Sequence, residues 1–224
     1  MFCTLILTLP SNERTKMSGA HVVDHALAHH HLSVVRSQAT TPWEFRHSLT
    51  QLSTLVAIQA TQSLPLQDCE ITTPITTTNC QRLANRIGLV PILRAGVIMV
   101  DPMLQLIPQA EVWHLGLYRD EETAQPVPYY NKLPEGKPVD IALILDPMLA
   151  TGGSACLACE SMQQWGAKKT VLVSVLAAPE GVAKVNEEFP DTDVYACAVD
   201  EQLNAQKFIV PGLGDAGDRV FNTQ

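Results

Sequence analysis

Residues 141–176, IALILDPMLATGGSACLACESMQQWGAKKTVLVSVL, constrain the fold most tightly. An apolar run ends in Asp146. A short loop then closes on Thr151-Gly152-Gly153-Ser154, a helix-like pattern follows to Trp165, and Gly166 ends it. A second apolar run begins at Thr170. A run apolar at every position, rather than every second one, is buried on both faces, and that is the mark of a parallel strand covered by helices on each side. Two such runs joined by a helix form one βαβ unit.

The same rhythm extends both ways. Residues 88–93 form a short apolar run ending in Arg94-Ala95-Gly96, with a helical pattern to about 107. Residues 111–118 read as a strand, 179–189 as a helix and 193–199 as a strand. The expectation is an α/β fold, with a mostly parallel central sheet and helices on both faces. Ligands of such sheets sit beyond the carboxyl ends of the strands, so chemistry is expected at Arg94, Asp146 and the loops after them. Upstream, Thr41-Pro42-Trp43-Glu44 is a capping box with Pro at the first helical position, and Phe45, Leu49, Leu52 and Val56 recur at helical spacing. This predicts a helix over 42–62 within an N-terminal helical region. Residues 63–87, rich in Thr and polar groups, read as short strands or loops, and 119–135 read as a long polar lid loop.

At 224 residues and 46% hydrophobic the chain suits a single domain, expected over 17–224. Residues 1–16 are expected to be an extension outside the fold. Their apolar run lacks the basic start of a signal peptide and is too short to span a bilayer. A net charge of −8 with no Lys/Arg cluster argues against nucleic acid as a partner. The six scattered cysteines read as reduced cytoplasmic thiols, with Cys156 and Cys159 as small packed residues on a helix. Helical spacing would align His21, His25 and His29 on one face, but no acid or cysteine accompanies them at metal-site spacing, so a solvated helix face is expected.

Glycines at 152 and 153 permit close approach of main-chain N–H groups to a ligand, and those groups with the positive end of the next helix make an anion site. Thr151 and Ser154 add hydroxyl donors. The lysine of a P-loop is absent. A carboxylate beside a phosphate would repel it, but one ribose-width away it can accept from two vicinal hydroxyls. The spacing from Asp146 to Ser154 therefore fits a sugar 5-phosphate lying along the loop.

These residues resemble the donor-binding loop of the type I phosphoribosyltransferases, and more closely the uracil phosphoribosyltransferase family. The resemblance rests on VPILRAG at 90–96, LYRDEET at 117–123, PVPYY at 126–130, DPMLATGGS at 146–154, AAPEG at 177–181 and IVPGLGDAGDR at 209–219. It runs from about residue 21 to the C-terminus. Pro147 departs from the second acid that most relatives carry.

The resemblance implies transfer of a 5-phosphoribosyl group from 5-phospho-α-D-ribose 1-diphosphate to N1 of uracil, giving UMP and diphosphate. It assigns the donor to Arg94, Arg119, Asp146, Pro147, Met148, Leu149, Ala150, Thr151, Gly152, Gly153, Ser154 and Asp215. It assigns uracil to Ile209, Gly214, Asp215 and Ala216. Arg94, Arg119, Asp146 and Asp215 are the expected catalytic set. Mg2+ is expected to enter with the donor rather than in a protein cage, and Asp215 to meet it through water. A GTP activator, a homo-oligomer and no membrane or nucleic-acid partner are also implied. Two rivals remain open at this stage. One is a transferase for another base, which would need a different C-terminal tail. The other is a silent regulator that keeps the fold and binds nucleotide or RNA.

Overall fold

The computed structural model describes residues 16, 17, 19–119 and 126–223. Its main sheet is α/β in architecture. The strands Ala20–Val22, Asp193–Ala196, Lys169–Val173, Ile141–Leu145, Ile87–Leu93 and Leu115–Arg119 lie side by side in that order, each parallel to the next. Antiparallel strands close both edges, Lys16–Met17 on one and Pro126–Asn131 on the other. The register aligns Pro91, Leu145 and Val173 across the middle, where Ile141–Leu145 and Lys169–Val173 end level while Ile87–Leu93 runs on to Leu93.

The unbroken apolar runs divide by alternation. Ile141, Leu143 and Leu145 face a core built with Phe45, Leu49, Leu52, Val56 and Met103. Ala142 and Ile144 face the opposite core, built with Ala155, Cys159, Met162, Val182 and Val185. Helices Ala26–Arg36, Pro42–Thr61, Val100–Leu106 and Ala216–Phe221 contribute to the first layer, and Gly153–Trp165 and Pro179–Glu188 to the second. Period-two alternation thus gives two cores on one strand, which is why no position in Ile141–Leu145 is polar.

The capping box forms as expected. The Thr41 hydroxyl accepts from the Glu44 N–H at 3.3 Å, and the Glu44 carboxylate accepts from the Thr41 N–H at 3.0 Å. The helix spans Pro42–Thr61. The glycine stop also holds, since Gly166 adopts φ 98° after a helix over Gly153–Trp165.

Several expectations change. The 170–176 run is two strands, Lys169–Val173 and Leu176–Ala177, and 193–199 likewise divides into Asp193–Ala196 and Ala198–Val199. The 111–118 run divides into Glu111–Val112 and Leu115–Arg119. Residues 63–87 resolve into an antiparallel hairpin, Leu66–Thr72 with Thr77–Leu83. Part of the expected lid loop is a strand: Pro126–Asn131, with β-favouring Val127, Tyr129 and Tyr130, pairs with Leu115–Arg119. Residues 120–125 of that loop lie outside the described residues. So do residues 1–15 of the expected extension, while Lys16 pairs opposite His21 at the sheet edge. The three histidines do not share a helix face. His21 lies in a strand and stacks on Tyr195, His25 caps the first helix through Nδ1, and His29 alone is on the helix.

The capping box predicts a measurable cost. Thr41→Ala removes the acceptor for the Glu44 N–H at the head of the helix that supplies Phe45 and Leu49, and should lower stability by about 1 kcal/mol. Urea unfolding checks this through a lower midpoint with an unchanged slope.

Candidate active site

The site begins where three central strands break. After Leu145, Val173 and Ala196 each chain steps sideways and resumes as a short strand: Met148–Leu149, Leu176–Ala177 and Ala198–Val199, again parallel. The step is held by backbone bonds. The Asp146 N–H donates to the Val173 carbonyl at 3.2 Å, and the Pro147 carbonyl accepts from the Val175 and Leu176 N–H groups at 3.1 and 3.0 Å. A proline fits there because its carbonyl, not an N–H, is the group in use.

The sidestep leaves Asp146 at the mouth of the loop. Its Oδ1 accepts from the Met148 N–H at 3.2 Å. Part of the side chain reaches solvent, yet the loop crowds the carboxyl, and that desolvation pushes it up to about 6, with the Met148 N–H pulling the other way. The chain then turns through Gly152, at φ 79°, into the Gly153–Trp165 helix. No side chain caps that helix, which leaves its first amides and its positive end open to an anion. Asp146 and residues 148–155 line a small concavity of about 50 Å³.

A second cavity, about 340 Å³, adjoins the first and shares Met148 and Ala150 with it. Its other walls include Ala95, Lys207, Phe208, Ile209, Gly214, Asp215 and Ala216. A hairpin of Gln202–Leu203 and Ile209–Val210 forms one side, its turn held by the Asn204 side chain, which accepts from the Gln206 and Phe208 N–H groups. The glycine-rich 211–217 stretch forms another. The structure therefore brings Asp146, the 147–154 loop, Ile209, Gly214, Asp215 and Ala216 together.

Arg94 lies at the end of its strand as expected, but its guanidinium turns toward the C-terminal helix. It donates from Nη2 to Asp218 at 3.1 Å and sits 6.0 Å from the Phe221 ring centre. Asp218, bonded by the Thr223 hydroxyl and by Arg94, is held below the usual carboxylate range. Asp215 also has a structural task, since its Oδ1 accepts from the Asp218 N–H at 2.9 Å and caps the Ala216–Phe221 helix. Arg119 ends its strand opposite Pro126, which places its backbone at the carboxyl edge of the sheet.

Sequence reasoning missed what fixes the two cavities to each other. The AAPEG motif does it from one turn. A Cβ on Gly181 would strike the Ala150 carbonyl oxygen, so only glycine lets this helix approach the loop so closely. Next to it, Glu180 accepts from the Leu203 N–H at 2.9 Å and holds the base-side hairpin. A second brace comes from the N-terminal helices. Arg36 donates to both Asp200 oxygens at 2.8 and 2.6 Å and to the Gly212 carbonyl at 2.9 Å, while Asp200 also accepts from the Gly212 N–H. Arg219 packs over the Phe45 ring at 4.2 Å and donates to the Leu213 and Ser37 carbonyls. AAPEG at 177–181 was visible as a motif, but the Arg36–Asp200 pairing spans most of the chain and left no local signal.

A parallel sheet with an uncapped glycine-loop helix, a carboxylate at the preceding strand end and a separate glycine-lined pocket defines the type I phosphoribosyltransferase class. The comparisons are narrower. The family model for uracil phosphoribosyltransferase matches residues 22–223. A uracil phosphoribosyltransferase of Roseiflexus castenholzii is 51% identical over 92% of this chain and 100% of its own length. One of Bacillus thuringiensis is 48% identical over 93% of this chain and 100% of its own length. A solved protein of Aquifex aeolicus is 37% identical, covers 91% of this chain and 98% of its own, and superposes with a TM-score of 0.85. The chain belongs to the uracil phosphoribosyltransferase family.

Two predictions follow from the braces. Gly181→Ala should push the 148–152 loop away from its support, raising the KM for the phosphoribosyl donor several-fold while leaving the KM for uracil near the wild-type value. Steady-state kinetics with each substrate varied in turn decides it. Asp200→Ala leaves the half-buried Arg36 without its carboxylate and should cost about 1.5–3 kcal/mol in thermal or urea unfolding. It should also raise the KM for uracil more than that for the donor.

Proposed function

We propose that this protein forms UMP and diphosphate from uracil and 5-phospho-α-D-ribose 1-diphosphate, with the residue roles below. The observation that carries the assignment is the uncapped helix N-terminus at Gly153 beside a carboxylate and a second, glycine-lined cavity. The amides at 152–154, with Thr151 and Ser154, bind the 5-phosphate. Asp146 accepts from the ribose hydroxyls. The backbone at Ile209 and Gly214–Ala216 meets the donor and acceptor edge of uracil, which alternates as O2, N3–H and O4.

Breaking the C1–oxygen bond to diphosphate puts positive charge on the ribose and negative charge on the leaving group. Rate then depends on holding base and ribose in line and on neutralising the charge that develops on the diphosphate. Arg94 exchanges its Asp218 partner for diphosphate oxygens, and Arg119 is the second cation on the leaving group. Among the described residues no three metal-binding side chains converge. Asp146 and Asp215 are the carboxylates at the cavities, which suits a metal that arrives on the diphosphate and is met through water. Magnesium bound in that way would neutralise the leaving group.

Activation by GTP, assembly into a homo-oligomer, a cytoplasmic setting and a separate N-terminal extension belong to the same proposal. They rest on the family resemblance. Among the described residues no helix is long and apolar enough to cross a membrane. The test of the activity is UMP formation from uracil and donor, with cytosine, orotate and hypoxanthine as competing bases. Turnover with orotate or hypoxanthine at the uracil rate would overturn the base assignment, and donor binding without turnover would overturn catalysis.

The raised Asp146 carboxyl yields a paired prediction. Ionised Asp146 is the form that serves the ribose, so the kcat/KM for the donor should lose an acid limb near pH 6 in Asp146→Asn that the wild type shows. The fold favours the protonated acid. Asp146 therefore adds to stability at low pH and loses that contribution as pH rises through about 6. Asp146→Asn should melt above the wild type at pH 8 and show a smaller or reversed difference at pH 4, while turning over more slowly. Calorimetry at the two pH values checks it.

A further inference from the structure

The hairpin of Leu66–Thr72 and Thr77–Leu83 pairs, among the described residues, only with itself. A two-stranded ribbon of this kind is marginal in water on its own. Most of its residues are exposed, and Cys69 and Cys80 are half-buried. These two cysteines are direct partners in the antiparallel register. Partners of that type share one face of the ribbon, with Cα atoms about 4.5–5.5 Å apart, and a disulfide spans Cα separations of about 4.4–6.8 Å.

The remaining described cysteines differ in kind. Cys156, Cys159 and Cys197 are buried, and burial pushes their thiols up to about 12, 11 and 12. Thiols held protonated away from solvent are poor nucleophiles. Among the described cysteines, the half-exposed pair is the one within reach of a reagent and of each other.

We propose that Cys69 and Cys80 form a cross-strand dithiol that closes to a disulfide by exchange with a small-molecule disulfide such as oxidised glutathione. One thiolate attacks a reagent sulfur, the reagent S–S bond breaks, and a mixed disulfide forms with loss of one small thiol. The second thiolate then attacks the protein-bound sulfur and expels the other small thiol. Two protein thiols are oxidised, one reagent disulfide is reduced to two thiols, and the two protons pass to the departing thiolates. The bond closes a loop over residues 69–80 and pins the strand pair that leads directly into Ile87–Leu93, the strand carrying Arg94.

The test incubates the full-length folded protein with reduced and oxidised glutathione at graded ratios. Intact mass, a thiol count and non-reducing peptide mapping are then read. The expected result is a mass lower by two hydrogens, two fewer titratable thiols, the Cys69 peptide joined to the Cys80 peptide, and a single-chain band on a non-reducing gel. Hydrogen exchange in 66–83 should slow on oxidation. Cys80→Ser should instead keep one glutathione on Cys69, and Cys69→Ser one on Cys80. Melting under reducing conditions reports whether either variant is folded. Stable mixed disulfides on both cysteines, a link between two chains, or no reaction at 69 and 80 would each overturn the proposal.

Discussion

Gly152 and Gly181 meet backbone to backbone, and most of the site follows from that contact. A Cβ on Gly152 would lie 3.0 Å from the Gly181 carbonyl oxygen, and one on Gly181 would strike the Ala150 carbonyl. The approach lets the Pro179–Glu188 helix buttress the anion loop from behind while Glu180, one residue before Gly181, holds the base-side hairpin. Two ligand cavities with separate backbones are thereby set at a fixed spacing. In-line displacement needs that fixity, because the reacting atoms belong to two different substrates.

The loop also shows a conflict between stability and chemistry. A carboxylate at the end of a buried strand is desolvated, and Asp146 is accordingly raised toward neutrality. Nothing among the described contacts offsets this beyond one backbone N–H. The helix behind it goes without a side-chain cap. Both features are unfavourable for the protein by itself and favourable for a ligand that brings hydroxyls to the acid and a phosphate to the amides.

Much of this was legible in the sequence. The apolar runs at 88–93 and 141–145, with the one that begins at Thr170, gave the parallel sheet, because burial on both sides leaves few polar positions to disguise the strand. The Asp146–Ser154 loop and the 209–216 tail carried their chemistry in local order. The strand end at Asp146 was legible, but its resumption at Met148 and the interruptions at 174–175 and 197 were not, since Ser174 alone departs from the apolar character of those later runs. Nor was the direction of Arg94, whose partner Asp218 lies at the far end of the chain. The Arg36–Asp200 brace escaped for the same reason, since long-range pairing leaves no periodic trace. The histidines at 21, 25 and 29 misled because spacing alone cannot tell a helix from a strand that runs into a cap.

The central claim is that the amides opening the Gly153–Trp165 helix are a phosphate site, on backbone separate from that of the base pocket. Amide hydrogen exchange with ribose 5-phosphate as the only ligand tests it most directly. The account predicts that exchange slows at residues 152–155, with 209–216 left near the ligand-free rate. Slowing confined to 209–216, or equal slowing in both segments with none at 152–155 in excess, would contradict it.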